Sequence, residues 1–326
     1  MVEERKRSLI SVVMCTYNGL PYLVEAVDAI LGQSYSNIEL VISDDCSTDG
    51  TREWLTSKSA VDQRIRLFLQ PKNLGYVPNK NFAHSQARGQ YITQMDQDDL
   101  SAPDRIEVMM NVIQQNSSAK IVACNYRLID DKGVVTRGPV EADNQIITKR
   151  PDGEYPFWFP SLLCDADVIR AVGPFNTYFA GALGDDYYWT SLAVSKFPIH
   201  YINKPMYDYR VHPSSITGQI SNMRKMVMPY VLLELMRQRD TSGTDWLEQN
   251  DFESLSRLEK KISTGRSFLL RHYQIAAARC FDRRQFSSGF GMVWKGLLVG
   301  GVSKESLKTL WYGVRCLFTE TFSSSK

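Results

Sequence analysis

Short apolar runs that alternate with helix-periodic segments constrain this chain more than any other feature. Runs at residues 9–14, 38–43, 65–70, 91–95 and 121–129 are separated by helical patterns at 21–33, 50–57, 79–88 and 103–115. That order predicts an α/β domain: a βαβ series around a mainly parallel sheet with flanking helices. In such sheets the ligand sits beyond the carboxyl ends of the strands. The expected strands end in polar clusters at Thr16-Tyr17-Asn18, Asp44-Asp45 and Asp96 to Asp99, so three clusters converge on one rim.

The last cluster is the most telling. Tyr91-Ile92-Thr93-Gln94-Met95 runs straight into Asp96-Gln97-Asp98-Asp99. On an extended chain Asp96 and Asp98 point to one side and Asp99 to the other. Carboxylates this close repel one another unless a metal, an arginine or a proton neutralises them, and paired hard oxygens suit Mg²⁺ or Mn²⁺. An Asx-rich turn after a strand is the plain structural alternative. Tyr17 offers a ring on which a base could stack, whereas Asn18-Gly19 also reads as an ordinary turn. Ser47 to Thr51 would cap the next helix, which leaves the two adjacent acids before them unexplained.

Beyond residue 133 the alternation stops, and residues 150–188 become rich in Pro, Gly and aromatics, as expected for the wall of a binding site. After residue 215 the pattern is wholly helical, at 225–239, 245–263, 266–281, 285–298 and 303–318, so we place a boundary there: residues 1–215 as a catalytic, ligand-binding domain and 216–326 as a helical extension. Charge divides unevenly. From Arg257 onward there are 13 Lys/Arg against 4 Asp/Glu, a net +9, which leaves −7 for residues 1–256. A basic tail carrying Trp294 and Trp311 at helical spacing either packs on the rest of the chain or lies on an anionic membrane surface. Nothing points to nucleic acid. The six cysteines form no CxxC pair and read as thiols of a reducing compartment. Residues 1–10 lack a signal-peptide core and Lys295 interrupts the longest apolar stretch, so the expected location is cytoplasmic, peripheral at most on the inner membrane.

Taken in order, the motifs resemble those of the family 2 glycosyltransferases of the GT-A fold, over roughly residues 9–215. Thr16-Tyr17-Asn18 matches the end of the family's first strand. Asp44-Asp45-Cys46-Ser47-Thr48-Asp49 matches Asp-Asp-x-Ser-x-Asp, with Cys46 where glycine is usual. Asn73-Leu74-Gly75 and Lys80-Asn81 match Asn-x-Gly and an Arg-Asn pair, with lysine in place of arginine. Asp96 to Asp99 match the Asp-x-Asp-Asp metal motif, Gly184-Asp185-Asp186 the Glu-Asp motif that opens a helix below the acceptor, and Tyr209-Arg210-Val211-His212 a closing Tyr-Arg-x-His stretch.

The resemblance implies a donor site of Thr16, Tyr17, Asn18, Asp45, Lys80 and Asp96, with Tyr17 stacking on the base and Asp45 accepting from it. It implies Asp96, Asp98 and His212 around Mn²⁺ or Mg²⁺, although a lone histidine is as readily structural. It implies Asp186 as general base, with Asp185 as the competing candidate. Phe157, Trp158, Phe159 and Trp189 offer faces to sugars or fill the core. The expected activity is an inverting, metal-dependent transfer of a sugar from a nucleotide diphosphate donor, UDP-sugar foremost. The expected acceptor is a saccharide, polyprenyl-diphosphate-linked, in assembly of a surface polysaccharide such as O-antigen or capsule. A non-catalytic nucleotide-sugar-binding or scaffold subunit is the alternative, though it would tolerate loss of acids that are all present. A nucleotidylyltransferase would need a Gly-rich phosphate loop where Thr16-Tyr17-Asn18-Gly19 stands.

Overall fold

The structure, a computed structural model, describes residues 8–151, 154–215, 223–282, 286–301 and 304–323. The chain divides into two compact units, Met1–Gly218 and Gln219–Lys326. In the first, β1 (Ile10–Thr16), β2 (Ile38–Asp44), β3 (Ile65–Leu69) and β4 (Tyr91–Gln94) alternate with α1 (Leu20–Leu31), α2 (Thr51–Val61) and α3 (Tyr76–Ser85). β1 and β2 are buried along nearly their whole length, as strands covered on both faces must be. α1 turns Leu23, Ala26, Val27 and Ile30 inward at helical spacing. With Ile106, Met109, Met110 and Ile113 of α4 (Arg105–Gln115) they seal one face of the sheet.

The sheet order is β3-β2-β1-β4-β9-β6-β10-β5, where β5 is Leu100–Ser101, β6 Ile121–Ile129, β9 Leu162–Asp165 and β10 Ile199–Arg210. β7 (Val135–Arg137) and β8 (Gln145–Ile147) pair at the sides of β6 and β10. Parallel pairing holds from β3 to β4. The longest pairings are parallel, as expected, and past β4 the sheet takes in short antiparallel pairings, because β9 runs antiparallel to both β4 and β6. The two reversals cancel. β6 and β10 therefore run in the same direction as β4, and the carboxyl end of β10 reaches the same rim as β1 to β4. β10 was not readable from the sequence because Asn203-Lys204-Pro205 interrupts it; the chain accommodates Pro205 with register shifts on either side.

One glycine decides how closely the crossover can pack. A Cβ on Gly89 would lie 2.5 Å from Ser11 N, 2.7 Å from Leu9 O and 2.8 Å from Tyr91 O, so the turn into β4 can run beside β1 only without a side chain. After β9 come α5 (Ala166–Val172) and α6 (Asp185–Val194).

The second unit holds α7 (Met223–Ser242), α8 (Phe252–Ser263), α9 (Arg266–Asp282), α10 (Phe286–Gly300) and α11 (Lys304–Ser323). α8 starts at Phe252, not at 245, because Asn250 adopts a left-handed φ of +56° and Asp251 caps the helix through Ser254 N at 3.0 Å. The expected starts at residues 285 and 303 lie outside the described residues. The Phe281 ring lodges against Gly289 and Gly313, letting α9, α10 and α11 approach closely.

Candidate active site

The β1 end turns into α1 through Asn18, at φ +49°, a conformation asparagine tolerates. Asn18 N donates to Ser47 Oγ and Thr48 N donates to Asn18 Oδ1, each at 2.8 Å, which stitches the ends of β1 and β2 together. The Tyr17 side chain is 48% exposed, so its ring has a face free for stacking. Asp44 is buried and held by Ser47 N. Asp45 turns to the loop after β3, where Leu74 N and Gly75 N donate to its two carboxylate oxygens at 2.6 and 2.9 Å. Each oxygen keeps a further lone pair. The Asn-x-Gly motif thus presents backbone N–H groups to Asp45, and Asn73 Nδ2 donates to the Asp45 carbonyl at 3.1 Å.

After β4 the three acids take separate partners. Asp96 Oδ1 accepts from Gln94 Nε2 at 2.8 Å. Asp98 Oδ2 lies 2.8 Å from His212 Nε2, whose Nδ1 is 2.8 Å from Ser214 Oγ. Asp99 is wholly buried and accepts from Tyr207 Oη at 2.6 Å and from Arg210 N at 2.8 Å. Burial first, and the nearby Asp98 charge second, push the Asp96 carboxyl up to about 7. Asp99 is raised well above the carboxylate range by burial and then by Asp98 and Asp96. Among the described residues no group of three or more His, Cys, Asp or Glu side chains is placed to hold a metal ion. The donor set nevertheless fits one: the Asp96 and Asp98 carboxylates, with His212 beside Asp98, offer the hard oxygens that Mg²⁺ or Mn²⁺ would take, with water and substrate phosphate completing the shell.

Across the rim, Gly184 at φ +113° opens α6. Asp185 and Asp186 occupy its first turn, where the helix dipole favours negative charge. They differ in company. Asp185 Oδ2 accepts from Lys80 Nζ at 3.0 Å. Asp186 Oδ1 accepts only from the neighbouring Tyr187 N, at 2.7 Å, among the bonds described. Burial, and then the charge of Asp185, raise the Asp186 carboxyl, with Lys80 opposing.

Residues 11–161 match the family model described as glycosyl transferase family 2. Among curated relatives, the uncharacterized protein y4gI of Sinorhizobium fredii is 34% identical over 221 residues, covering 64% of this chain and 23% of that protein. Glycosyltransferase GlyG of Streptococcus pneumoniae is 40% identical over 123 residues, covering 38% of this chain and 40% of that one. TuaG of Bacillus subtilis, assigned by its name to teichuronic acid biosynthesis, is 34% identical over 113 residues, covering 35% and 45%. The chain spans less than two thirds of the length of these relatives. Among solved structures, residues 1–349 of S. aureus TarS in complex with UDP-GlcNAc align with a TM-score of 0.59 at 15% identity, covering 89% of this chain and 91% of that one. At that identity the likeness is one of fold: GT-A with helices following. Residues 11–161 are therefore similar to a family 2 glycosyltransferase domain.

Within the first unit, the structure brings Thr16, Tyr17, Asn18, Asp45, Asp96, Asp98 and His212 to one rim. Lys80 is the exception among the expected donor residues. It is buried and its ammonium pairs with Asp185, on the acceptor-side helix α6. Cys46, where the family usually has glycine, adopts a glycine-like φ of +69°. Phe157 and Trp189 belong to the core, with Trp189 Nε1 donating to Gly173 O at 2.9 Å.

Two residues that build the site are not singled out by the sequence, Gln97 at all and Arg210 beyond its place in the Tyr209 to His212 match. Gln97, the interior residue of the Asp-x-Asp run, accepts from Thr16 Oγ1 at 2.7 Å and from Tyr17 N at 2.9 Å, so one side chain fixes the entry to α1 against the acidic loop. Arg210 is buried and donates from Nε to the Asp98 carbonyl at 2.7 Å and from a terminal nitrogen to Glu25 Oε2 at 2.7 Å.

Proposed function

We propose that the chain transfers a sugar, with inversion, from a nucleoside diphosphate donor, a UDP-sugar foremost, to the hydroxyl of a saccharide acceptor during assembly of a surface polysaccharide. The observation that carries this reading is the unequal pair at the start of α6: Asp185 is neutralised by Lys80, while Asp186 lacks a cationic partner among the described contacts and holds protons more tightly than an ordinary carboxylate. That is the arrangement of a general base. Asp186 takes the proton of the acceptor hydroxyl as its oxygen bonds to the anomeric carbon, and the bond from that carbon to the diphosphate oxygen breaks with its electron pair leaving on the diphosphate. Tyr17 stacks on the base, Asp45 receives its N–H, and Asp96 meets the ribose and diphosphate. Asp96 and Asp98, aided by His212, would hold Mn²⁺ or Mg²⁺, which supplies charge neutralisation to the departing diphosphate. The names of TuaG and of the UDP-GlcNAc-bound TarS structure favour a UDP-sugar and a polymer acceptor.

The acceptor we favour is lipid-linked, held at an anionic membrane surface. No described helix is long and apolar enough to cross a membrane. On α10 and α11, however, Trp294 and Trp311 are each 63% exposed beside Leu298, Leu307, Lys295, Lys308 and Arg315. Exposed aromatics among basic residues suit attachment to an anionic interface.

Titration of the full chain with a panel of nucleotide sugars, with and without Mn²⁺, tests the donor reading, followed by product analysis with a polyprenyl-diphosphate-linked saccharide. Binding of a UDP-sugar with release of UDP only when acceptor is added is the expected result. Binding without any turnover across acceptors would favour a scaffold subunit instead. Sedimentation with anionic vesicles across a salt series tests the surface: the chain should pellet at low salt and leave the vesicles as salt rises.

A further inference from the structure

The Lys80 ammonium lies in a closed box. Its Nζ is 3.7 Å from the centre of the Phe175 ring, 4.5 Å from that of Phe159 and 5.3 Å from that of Tyr76, with Asp185 Oδ2 as the anionic wall at 3.0 Å. Both side chains of the ion pair are almost wholly removed from solvent, at 1% and 6% exposed. The box is itself fixed. Asn81, the next residue, donates from Nδ2 to Phe175 O at 2.8 Å and accepts from Phe175 N at 2.9 Å, so the Lys-Asn pair works as a unit in which one residue holds the ring that covers the other. Phe159 and Phe175 pack in turn on Trp189, one turn along α6 from Asp185.

We propose that Lys80 is a positioning residue for the acceptor-side base: it neutralises Asp185 and docks the first turn of α6, leaving Asp186 as the one uncompensated acid there. The proposal rests on the reading of Asp186 as the base and replaces the expected contact of Lys80 with the diphosphate. The charged and titratable groups that face Asp186 are Asp185 on its own helix, Lys80 and Tyr76 on α3, and Asp96 after β4. Lys80 is the only cation among them. With it, Asp185 and Asp186 together carry one uncompensated charge. Without it, two adjacent carboxylates share the first turn of α6 with no cation paired to either, and a proton is held there at pH values where the base must be free.

Four variants and two readouts separate the possibilities. Lys80→Met keeps the length of the side chain and removes its charge. Its dissociation constant for UDP should stay within threefold of the wild type, while kcat at pH 7 falls at least tenfold and the acid limb of the kcat profile moves up by a pH unit or more. Lys80→Arg should return part of the loss. The double variant Lys80→Met/Asp185→Asn removes both charges and leaves the box neutral, so it should recover kcat and the acid limb even if Lys80→Met is too poorly folded to assay. A tenfold rise in the UDP dissociation constant with an unmoved acid limb in Lys80→Met overturns the proposal in favour of a diphosphate contact. A double variant that stays as impaired as Lys80→Met overturns it as well. Asp186→Asn separates the two ideas: full transfer by that variant removes the base itself, whereas lost transfer there with an unmoved profile in Lys80→Met removes only the role of Lys80.

Discussion

Replacing Arg210 by methionine should cost far more than removing the acid it is paired with. Arg210 is 1% exposed, whereas the Glu25 side chain is 60% exposed, so the ion pair itself is screened and worth about 0–1 kcal/mol. The anchoring of the acidic loop is worth more. The Nε donor to Asp98 O, at 2.7 Å, is a charge-assisted bond of about 1.5–3 kcal/mol, and its loss strands a carbonyl at a further cost of about 1–3 kcal/mol. The bonds to the Asp130 and Asp131 carbonyls, at 3.4 and 3.3 Å, are too long to add much. Allowing about 1 kcal/mol for the apolar packing of the methionine, Arg210→Met should destabilise by about 3 kcal/mol. In a unit of roughly 200 residues that corresponds to a fall in Tm of about 6–12 °C. Glu25→Gln should lower it by no more than about 4 °C. Calorimetry of the full chain reads both. If the two variants fall equally, or if Arg210→Met loses less than about 2 °C, the loop is not held by this guanidinium and the argument is wrong.

Asp186→Asn should keep its affinity for UDP and lose transfer by roughly 10²–10⁴-fold, a split read by titration beside steady-state kinetics; unchanged kcat would remove it as the base. Asp98→Ala should weaken Mn²⁺-dependent binding of UDP, measured by calorimetric titration, and full binding in the presence of a chelator would count against the metal. His84 is held down to about 4 by burial first and by the Lys80 charge second. The folded state therefore keeps it neutral while an unfolded chain protonates it near 6.5, so stability should fall as pH drops from about 6.5 to 4, by up to ~1.4 kcal/mol per unit. In His84→Gln, urea unfolding across that window should show a flatter slope. Gly89→Ala should destabilise by roughly 1–3 kcal/mol, because the new methyl meets backbone atoms that cannot step aside, and an unchanged urea midpoint would show that the turn yields.

The parts of the fold that were legible are those in which local pattern and burial agree. β1 and β2 are largely apolar because both faces of the sheet are covered, and the polar ends of β1, β2 and β4 mark the rim without any tertiary knowledge. β10 was not legible, since Pro205 breaks the run and the strand persists through irregular pairing, which depends on β6 lying alongside. Residue type at a motif position did not reveal where a long side chain goes. Lys80 matched a cation expected near a diphosphate, yet its box is made by Phe159 and Phe175, some eighty and ninety-five residues away. Gln97 was hidden for a different reason: between two aspartates it reads as a spacer, and its role exists only once Thr16 and Tyr17 are opposite it.

The acidic loop is also fixed in length. Residues 95–99 are strung between β4, seated beside β1, and β5, which is clipped to β10 through Ser101 opposite Tyr207. Both anchors are short and immovable relative to the sheet, so one added residue would rotate Asp98 away from His212 while pulling Asp99 off Tyr207. Libraries that vary loop length to broaden donor choice will find no room here. The exposed turn at Asp131-Lys132-Gly133, between β6 and β7, can accept insertions, and variation in chain length among relatives of this domain should collect at such turns while the acidic loop keeps its residue count.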